Sequence, residues 1–446
     1  MSDLRTTVTG LMPDLVETLR DLVAIPSVSA AGFPEEEVRR SAEAVRDLLA
    51  DVGCDDARLF EVEGSHPAVY GSIQGPEDAP TVLLYAHHDV QPPGPAGDWT
   101  SPAFEATERD GRLYGRGSSD DKAGIVMHLG ALRAFGGQPP CTVKVFVEGE
   151  EEIGSAHLGD YLDQYADELA ADVIVIGDAG NWDVGVPALT TSLRGLAACT
   201  VEVRTAQRPG HSGMFGGAVP DALMALSRLL ASLHHDDGSV AVEGLVSGEP
   251  ATDLDVPLEQ VTDGLGTVEG LEQLGEGSLA SRLWTKPAIS VLAVDAPPVA
   301  EAINALVPVA RAKVSLRTAP GQDPDQALAA LVGHLEAHAP WGVEVTVSDT
   351  ESGPAFELPI EGDAAETWRD AMTAAWDGTD VVEMGVGGSI PFVADFAARY
   401  PDAAILLTGA GDPSSSIHAP DESQDLADLE RCVLAEALAL QALAEG

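Results

Sequence analysis

Four short apolar runs in this chain are each followed by residues that bind metal ions. Run 82–86 leads into His87-His88-Asp89, and run 143–147 into Glu148-Gly149-Glu150-Glu151-Glu152. Run 173–176 leads into Gly177-Asp178, and run 403–407 into a glycine loop (409–421) that carries His418. Imidazole and carboxylate together suit divalent cations of the zinc, manganese and cobalt type. His87 can bind through one ring nitrogen while Asp89 accepts the other N–H and fixes the tautomer. In the glutamate run, one carboxylate can ligate while its neighbour holds an attacking water as general base. An acidic run by itself is more often a solvated turn, but gathering carboxylates at a buried strand end demands nearby cations. Asp178 ends an apolar strand, where aspartate is otherwise disfavoured, and this marks it as a ligand.

Gly115-Arg116-Gly117-Ser118-Ser119-Asp120-Asp121-Lys122 is a glycine-rich turn entering a helix over 123–135. A phosphate loop is one reading. The GxxxxGK[ST] pattern is absent, however, and two aspartates would repel an anion, so a metal-bridging carboxylate held rigidly by this turn is favoured. His211, in the glycine-rich stretch 210–217, could polarise a substrate carbonyl. His88 should face away from His87 on its strand. It is read, with His66, His128, His157, His234, His235, His334 and His338, as structural or surface histidine.

The elements that must position these groups follow from pattern. Leu15, Leu19, Leu22 and Val23 stand at helical spacing until Pro26, and 36–52 reads as a second amphipathic helix. The four apolar runs have the length and composition of buried strands in a mainly parallel sheet, whose ligands gather beyond the carboxyl ends of the strands. The middle differs: strand 196–203, helix 220–233, strands 288–295 and 311–317, helix 324–337 and strand 343–347. That βαββαβ order suits an α+β unit inserted into the first domain. Residues 236–277, rich in Gly, Asp and Glu, read as loop.

Composition sets bounds. At 446 residues the chain is long for one core, which favours two domains. Acidic residues number 73 against 24 basic, for a net charge of −49, which argues against nucleic acid and anionic membranes as partners. It fits either a solubilising shell or adaptation to a salty medium. The four cysteines are scattered without a CxxC pair, so neither a cysteine metal site nor a disulfide framework is indicated. No apolar run approaches the ~20 residues a membrane helix needs, the N-terminus is not leader-like, and a cytoplasmic location is expected.

Taken in order, these motifs resemble the M20 family of metallopeptidases, in particular its dipeptidase branch of cytosolic nonspecific dipeptidases and carnosinases. The resemblance spans nearly the whole chain: Leu22–Ser29 by number 22–29, 85–92, 99–122, 148–155, 211–217, Ser315-Leu316-Arg317, Gly387-Gly388-Ser389-Ile390-Pro391, and His418 with Glu422. It implies an α/β catalytic domain of zinc-peptidase type, 1–192 and 353–446, with a lid and dimerisation domain at 193–352. His87, Asp120 and Asp178 would hold one divalent ion and Asp120, Glu152 and His418 the other, zinc favoured and manganese or cobalt alternatives. Asp89 would orient His87, and Glu151 would act as general base and then acid. His211 would act in trans in a homodimer, while Arg317, Gly388 and Ser389 grip the substrate carboxylate. A cis peptide is implied at Asp120–Asp121. The expected activity is hydrolysis of small peptides, with N-acyl-amino-acid deacylation as the alternative. Two departures stand out: Ala123 replaces a usual glycine, and Gly385-Val386 replaces an Arg-Glu pair on the substrate side.

Overall fold

The computed structural model describes residues 2–249, 254, 256–258, 261–262, 266–358, 362–388 and 391–445. The chain divides into two compact units, one of residues 1–191, 358–384 and 391–446 and one of 192–357 and 385–390.

The first unit is built on a mixed sheet whose centre is parallel. Its neighbouring strands run Thr142–Glu148, Thr81–His87, Val173–Ile176, Ala404–Leu407, so all four apolar runs lie side by side and point the same way. Val82, Leu83, Leu84, Tyr85 and Ala86 are all fully buried, because a central strand covered on both faces has no solvent side. Antiparallel strands Ala68–Ile73 and Arg58–Phe60 extend one edge, and Ala188–Leu193 flanks Ala404–Leu407 on the other. The α/β class expected from the sequence is the one observed.

Helices Ser2–Val23, Lys122–Ala134 and Leu426–Glu445 pack together in the same core. Leu15, Leu19, Leu22 and Val23 form the buried stripe of the first, each contributing about 1.5–3 kcal/mol of burial. Gly130 lets the three approach: a Cβ there would lie 2.7 Å from Val433 and 2.9 Å from Leu15. The helix Lys122–Ala134 is buried on every side through Leu132, as a helix apolar all round must be. Asp121 caps it, accepting the Gly124 N–H at 3.2 Å.

The second unit is an antiparallel sheet ordered Ala288–Asp295, Val309–Thr318, Gly195–Arg204, Glu344–Gly353. Helices Ala222–Ala231 and Pro324–Ala337 share a core with it. Ala310, Ala312, Val314 and Leu316 alternate inward at the period of two that a one-sided sheet requires. The first helix is shorter than the expected 220–233, because Asp221 caps it by accepting the Met224 N–H. Among the described residues of 236–277 no strand forms, but Leu258, Val261 and Thr262 are helical, so the stretch is not loop throughout, and its remainder lies outside the described residues.

Candidate metal centre

Three loops at the carboxyl ends of the parallel strands and the turn before helix Lys122–Ala134 converge on His87. The imidazole is completely buried at the last position of its strand. Its Nδ1 lies 3.1 Å from the Asp89 carbonyl oxygen and 3.4 Å from Asp89 Oδ1. Both neighbours are acceptors, so Nδ1 carries a proton, and Nε2 would be the nitrogen that turns its lone pair to a bound cation. Nε2 lies 2.9 Å from Asp120 Oδ1, and 3.9 Å from both Glu151 Oε2 and Asp178 Oδ1.

Asp120 is shared between two histidines. Its other oxygen, Oδ2, lies 3.0 Å from His418 Nε2, which also sits 3.1 Å from Glu152 Oε2. Two triads, His87–Glu151–Asp178 and His87–Asp120–Glu152, thus have ligand atoms within 4.8 Å of one another. The Asp120–Asp121 peptide is cis, as the resemblance implied. His418 adopts φ +63°, a left-handed conformation unusual for a non-glycine residue.

The charge balance of this cluster calls for cations. Five carboxylates, those of Asp89, Asp120, Glu151, Glu152 and Asp178, face two imidazoles, and the nearby basic side chains are committed elsewhere. Lys122 Nζ donates to the carbonyls of Leu22 and Ile25, and Arg116 pairs with Glu422 at 2.6 Å. Burial, and then the neighbouring Asp120 charge, push the Glu151 carboxyl up to about 8 against the pull of His87. Burial likewise lifts Asp178 well above the carboxylate range, with Glu151, Asp121 and Asp120 adding to it. Burial also works against charge on Asp120, yet hydrogen bonds from His418 and His87 hold it below its ordinary value. The same bonds, to Asp120 and Glu152, raise His418 to about 10. Mixed imidazole and carboxylate donors with a shared aspartate fit a pair of divalent ions.

Not all of the glutamate run reaches this cluster. Glu148 is still in its strand and buried, accepting the Tyr85 O–H at 2.7 Å, and burial raises it to about 7. Glu150 turns to the His66 N–H and to His157. Only Glu151 and Glu152, in the short 3-10 turn Glu151–Ile153, face His87 and His418. His88 points away as expected: its Nε2 lies 2.9 Å from the Pro67 carbonyl, and burial lowers it to about 4.

The family profile described as Peptidase family M20/M25/M40 matches residues 83–442. The chain belongs to that family. Within M20 it falls on the dipeptidase branch. It is 36% identical over 428 residues to the cysteinylglycine-S-conjugate dipeptidase of Corynebacterium striatum, covering 95% of this chain and 94% of that one. It is 30% identical over 353 residues to the beta-Ala-His dipeptidase of Rattus norvegicus, covering 73% and 71%. The fold superposes on the di-peptidase Dug1p of Saccharomyces cerevisiae with a TM-score of 0.84 at 22% identity, covering 100% and 98% of the two chains.

Around the M20 cluster stand residues that pattern reading passed over. Ser29 Oγ donates to Asp89 Oδ2 at 2.6 Å, and the Gln91 N–H donates to Glu152 Oε1 at 3.0 Å. Glu422, noted only as a neighbour of His418, is buried and accepts the N–H groups of Gly117, Ser119 and Asp120 at 3.0–3.1 Å. That bond set fixes the glycine-rich turn.

His211, Arg317 and Gly388 belong to the second unit. His211 is exposed on the short strand Gly210–His211, with the Gly213 N–H donating to its Nδ1 at 3.1 Å. Arg317 lies on Val309–Thr318 opposite Ala288 and Leu196, and its charge, after burial, helps lower Arg194 to about 10. Gly388 follows strand Val382–Val386, and Ser389 lies outside the described residues. Among the described residues no helix is long and apolar enough to cross a membrane.

Proposed function

We propose that this protein hydrolyses the peptide bond of free dipeptides, and that its cluster would hold two divalent metal ions, zinc first among them, that supply the activation of water. The observation that carries the reading is Asp120, whose two oxygens face two different histidines, His87 at 2.9 Å and His418 at 3.0 Å. His87, Asp120 and Asp178 would hold one ion, and Asp120, Glu152 and His418 the other. Ions held there supply Lewis acidity, polarising the scissile carbonyl and making a water proton easier to remove.

The chain's own residues do the rest. Glu151 takes a proton from water and returns it to the departing amine. Asp89 keeps the Nδ1 proton on His87, so that Nε2 remains a ligand. His211, from the second copy in a homodimer, donates to the developing oxyanion. Arg317 and the Gly388-Ser389 loop grip the substrate's terminal carboxylate. Residues 1–192 and 353–446 form the catalytic domain in this scheme, and 193–352 the lid through which two copies pair. The names of the Corynebacterium and rat relatives, both dipeptidases, support free dipeptides as the substrate class.

The test is a panel of free dipeptides against N-acetyl amino acids, after chelation and readdition of zinc, manganese or cobalt. Metal-dependent cleavage of the free dipeptides supports the proposal. Cleavage of the acylated compounds alone contradicts it and assigns a deacylase.

A further inference from the structure

His128 and Glu436 form a buried pair that the proposed chemistry does not use. His128, on helix Lys122–Ala134, is fully buried, and Glu436, on helix Leu426–Glu445, is 1% exposed. His128 Nδ1 lies 2.8 Å from Glu436 Oε2, and Nε2 lies 3.0 Å from the Tyr85 carbonyl oxygen. Each ring nitrogen faces an acceptor, so the ring carries both protons and donates from both sides. The Glu436 charge favours that form and outweighs the opposing effect of burial.

The Tyr85 carbonyl accepts a second bond, from the Gly177 N–H at 2.8 Å. This one oxygen therefore joins His128 to the ends of two adjacent parallel strands. Two residues beyond Tyr85 comes His87, and one beyond Gly177 comes Asp178. The imidazole fits closely beneath the junction: a Cβ at Gly177 would lie 2.9 Å from His128 Nε2. His87 Nε2 and Asp178 Oδ1 emerge from this junction 3.9 Å apart. As a source of stability alone, a buried ion pair is a poor choice, since apolar residues of similar volume often do as well or better. As a means of fixing two strand ends at one spacing, it has a geometric purpose.

The geometry points to His128, held by Glu436, as a positioning residue that sets the separation of His87 and Asp178 and thereby the affinity of the metal ion they share. The inference rests on the two-ion reading of the preceding section. Supporting residues of metal ligands typically change affinity by about 10–100-fold when removed.

The experiment is zinc binding to the full-length chain, measured by competition with a chromophoric chelator, with Co2+ absorption as a second readout. The variants are His128→Gln and His128→Asn. Both lose the charge, but the glutamine amide takes the place of Nε2 and still reaches Tyr85, whereas the asparagine amide takes the place of Nδ1 and does not. Wild type and His128→Gln are expected to bind two ions with similar constants. His128→Asn is expected to bind one of the two about 10–100-fold more weakly, with an altered Co2+ spectrum. Should His128→Asn fail to fold, the double variant His128→Leu/Glu436→Leu leaves no buried charge unpaired and is expected to show the same loss. Two ions bound as tightly as wild type by His128→Asn, or by the double variant where His128→Asn does not fold, would overturn the positioning role. Failure of wild type to bind two ions would instead overturn the reading on which it rests.

Discussion

The carboxylate of Asp89 accepts the backbone N–H of Glu152 at 3.1 Å. The same residue lies against Nδ1 of His87, so it links the ends of two parallel strands, Thr81–His87 and Thr142–Glu148, as well as fixing one imidazole. Ser29 holds the carboxylate from a third direction. Asp89→Ala should therefore disturb ligands on both strands. Zinc affinity is expected to fall by about 10–100-fold, and kcat with it. Chelator competition beside steady-state kinetics checks both, and unchanged zinc affinity would show that Asp89 supports neither ligand.

Glu151 is expected to behave differently, because its charge is asked to move a proton. Glu151→Gln should lower kcat by about 10²–10⁴-fold while the protein keeps its metal content. Elemental analysis of the same sample used for kinetics separates the two effects. A variant that lost its metal along with its activity would make Glu151 a ligand first.

The cysteines give a check on burial that is independent of the metal. Cys54, Cys141, Cys199 and Cys432 are all free and buried. Burial pushes the Cys54 thiol up to about 12 and those of Cys141 and Cys199 up to about 11, with Cys432 raised further still. Thiolate is the reactive form, so a thiol reagent at pH 8 should label none of them in the native protein and all four once it is denatured. Rapid labelling of the native protein would contradict the packing described.

The net charge of −49 predicts a response to salt. Self-repulsion of a single-sign surface is screened over about 10 Å at 0.1 M ionic strength. The melting temperature should rise as sodium chloride is raised from low millimolar to molar concentration, at a fixed zinc concentration. A melting temperature that fell over that range would mean that paired surface charges, rather than repulsion, dominate.

Much of this arrangement was legible in the chain because central parallel strands announce themselves. With both faces covered they read as unbroken apolar runs, and the residue after each run falls at the rim where ligands gather. The pleat also placed His88 opposite His87. What escaped had a physical reason. The strand Thr142–Glu148 runs one residue beyond its apolar stretch, so Glu148 points into the core, a fact its place in an acidic run conceals. Ser29 acts as a single polar side chain and Gln91 through its backbone N–H, neither with period or partner nearby in sequence. His128 sits on a helix buried on every side, where no amphipathic stripe tells inside from outside. Arg58–Phe60 has only three residues, and Ala68–Ile73 is interrupted by Gly71 and Ser72, so neither reads as an unbroken apolar run.

The most direct test concerns Asp120, whose two oxygens each face a histidine. The measurement is zinc content per chain after dialysis against a weak chelator, for wild type and Asp120→Ala. Wild type is expected to retain two ions and Asp120→Ala to retain neither tightly, because one carboxylate serves both sites. A wild-type stoichiometry of one, or an Asp120→Ala variant that still holds two, would contradict a shared aspartate at the centre of a two-metal site.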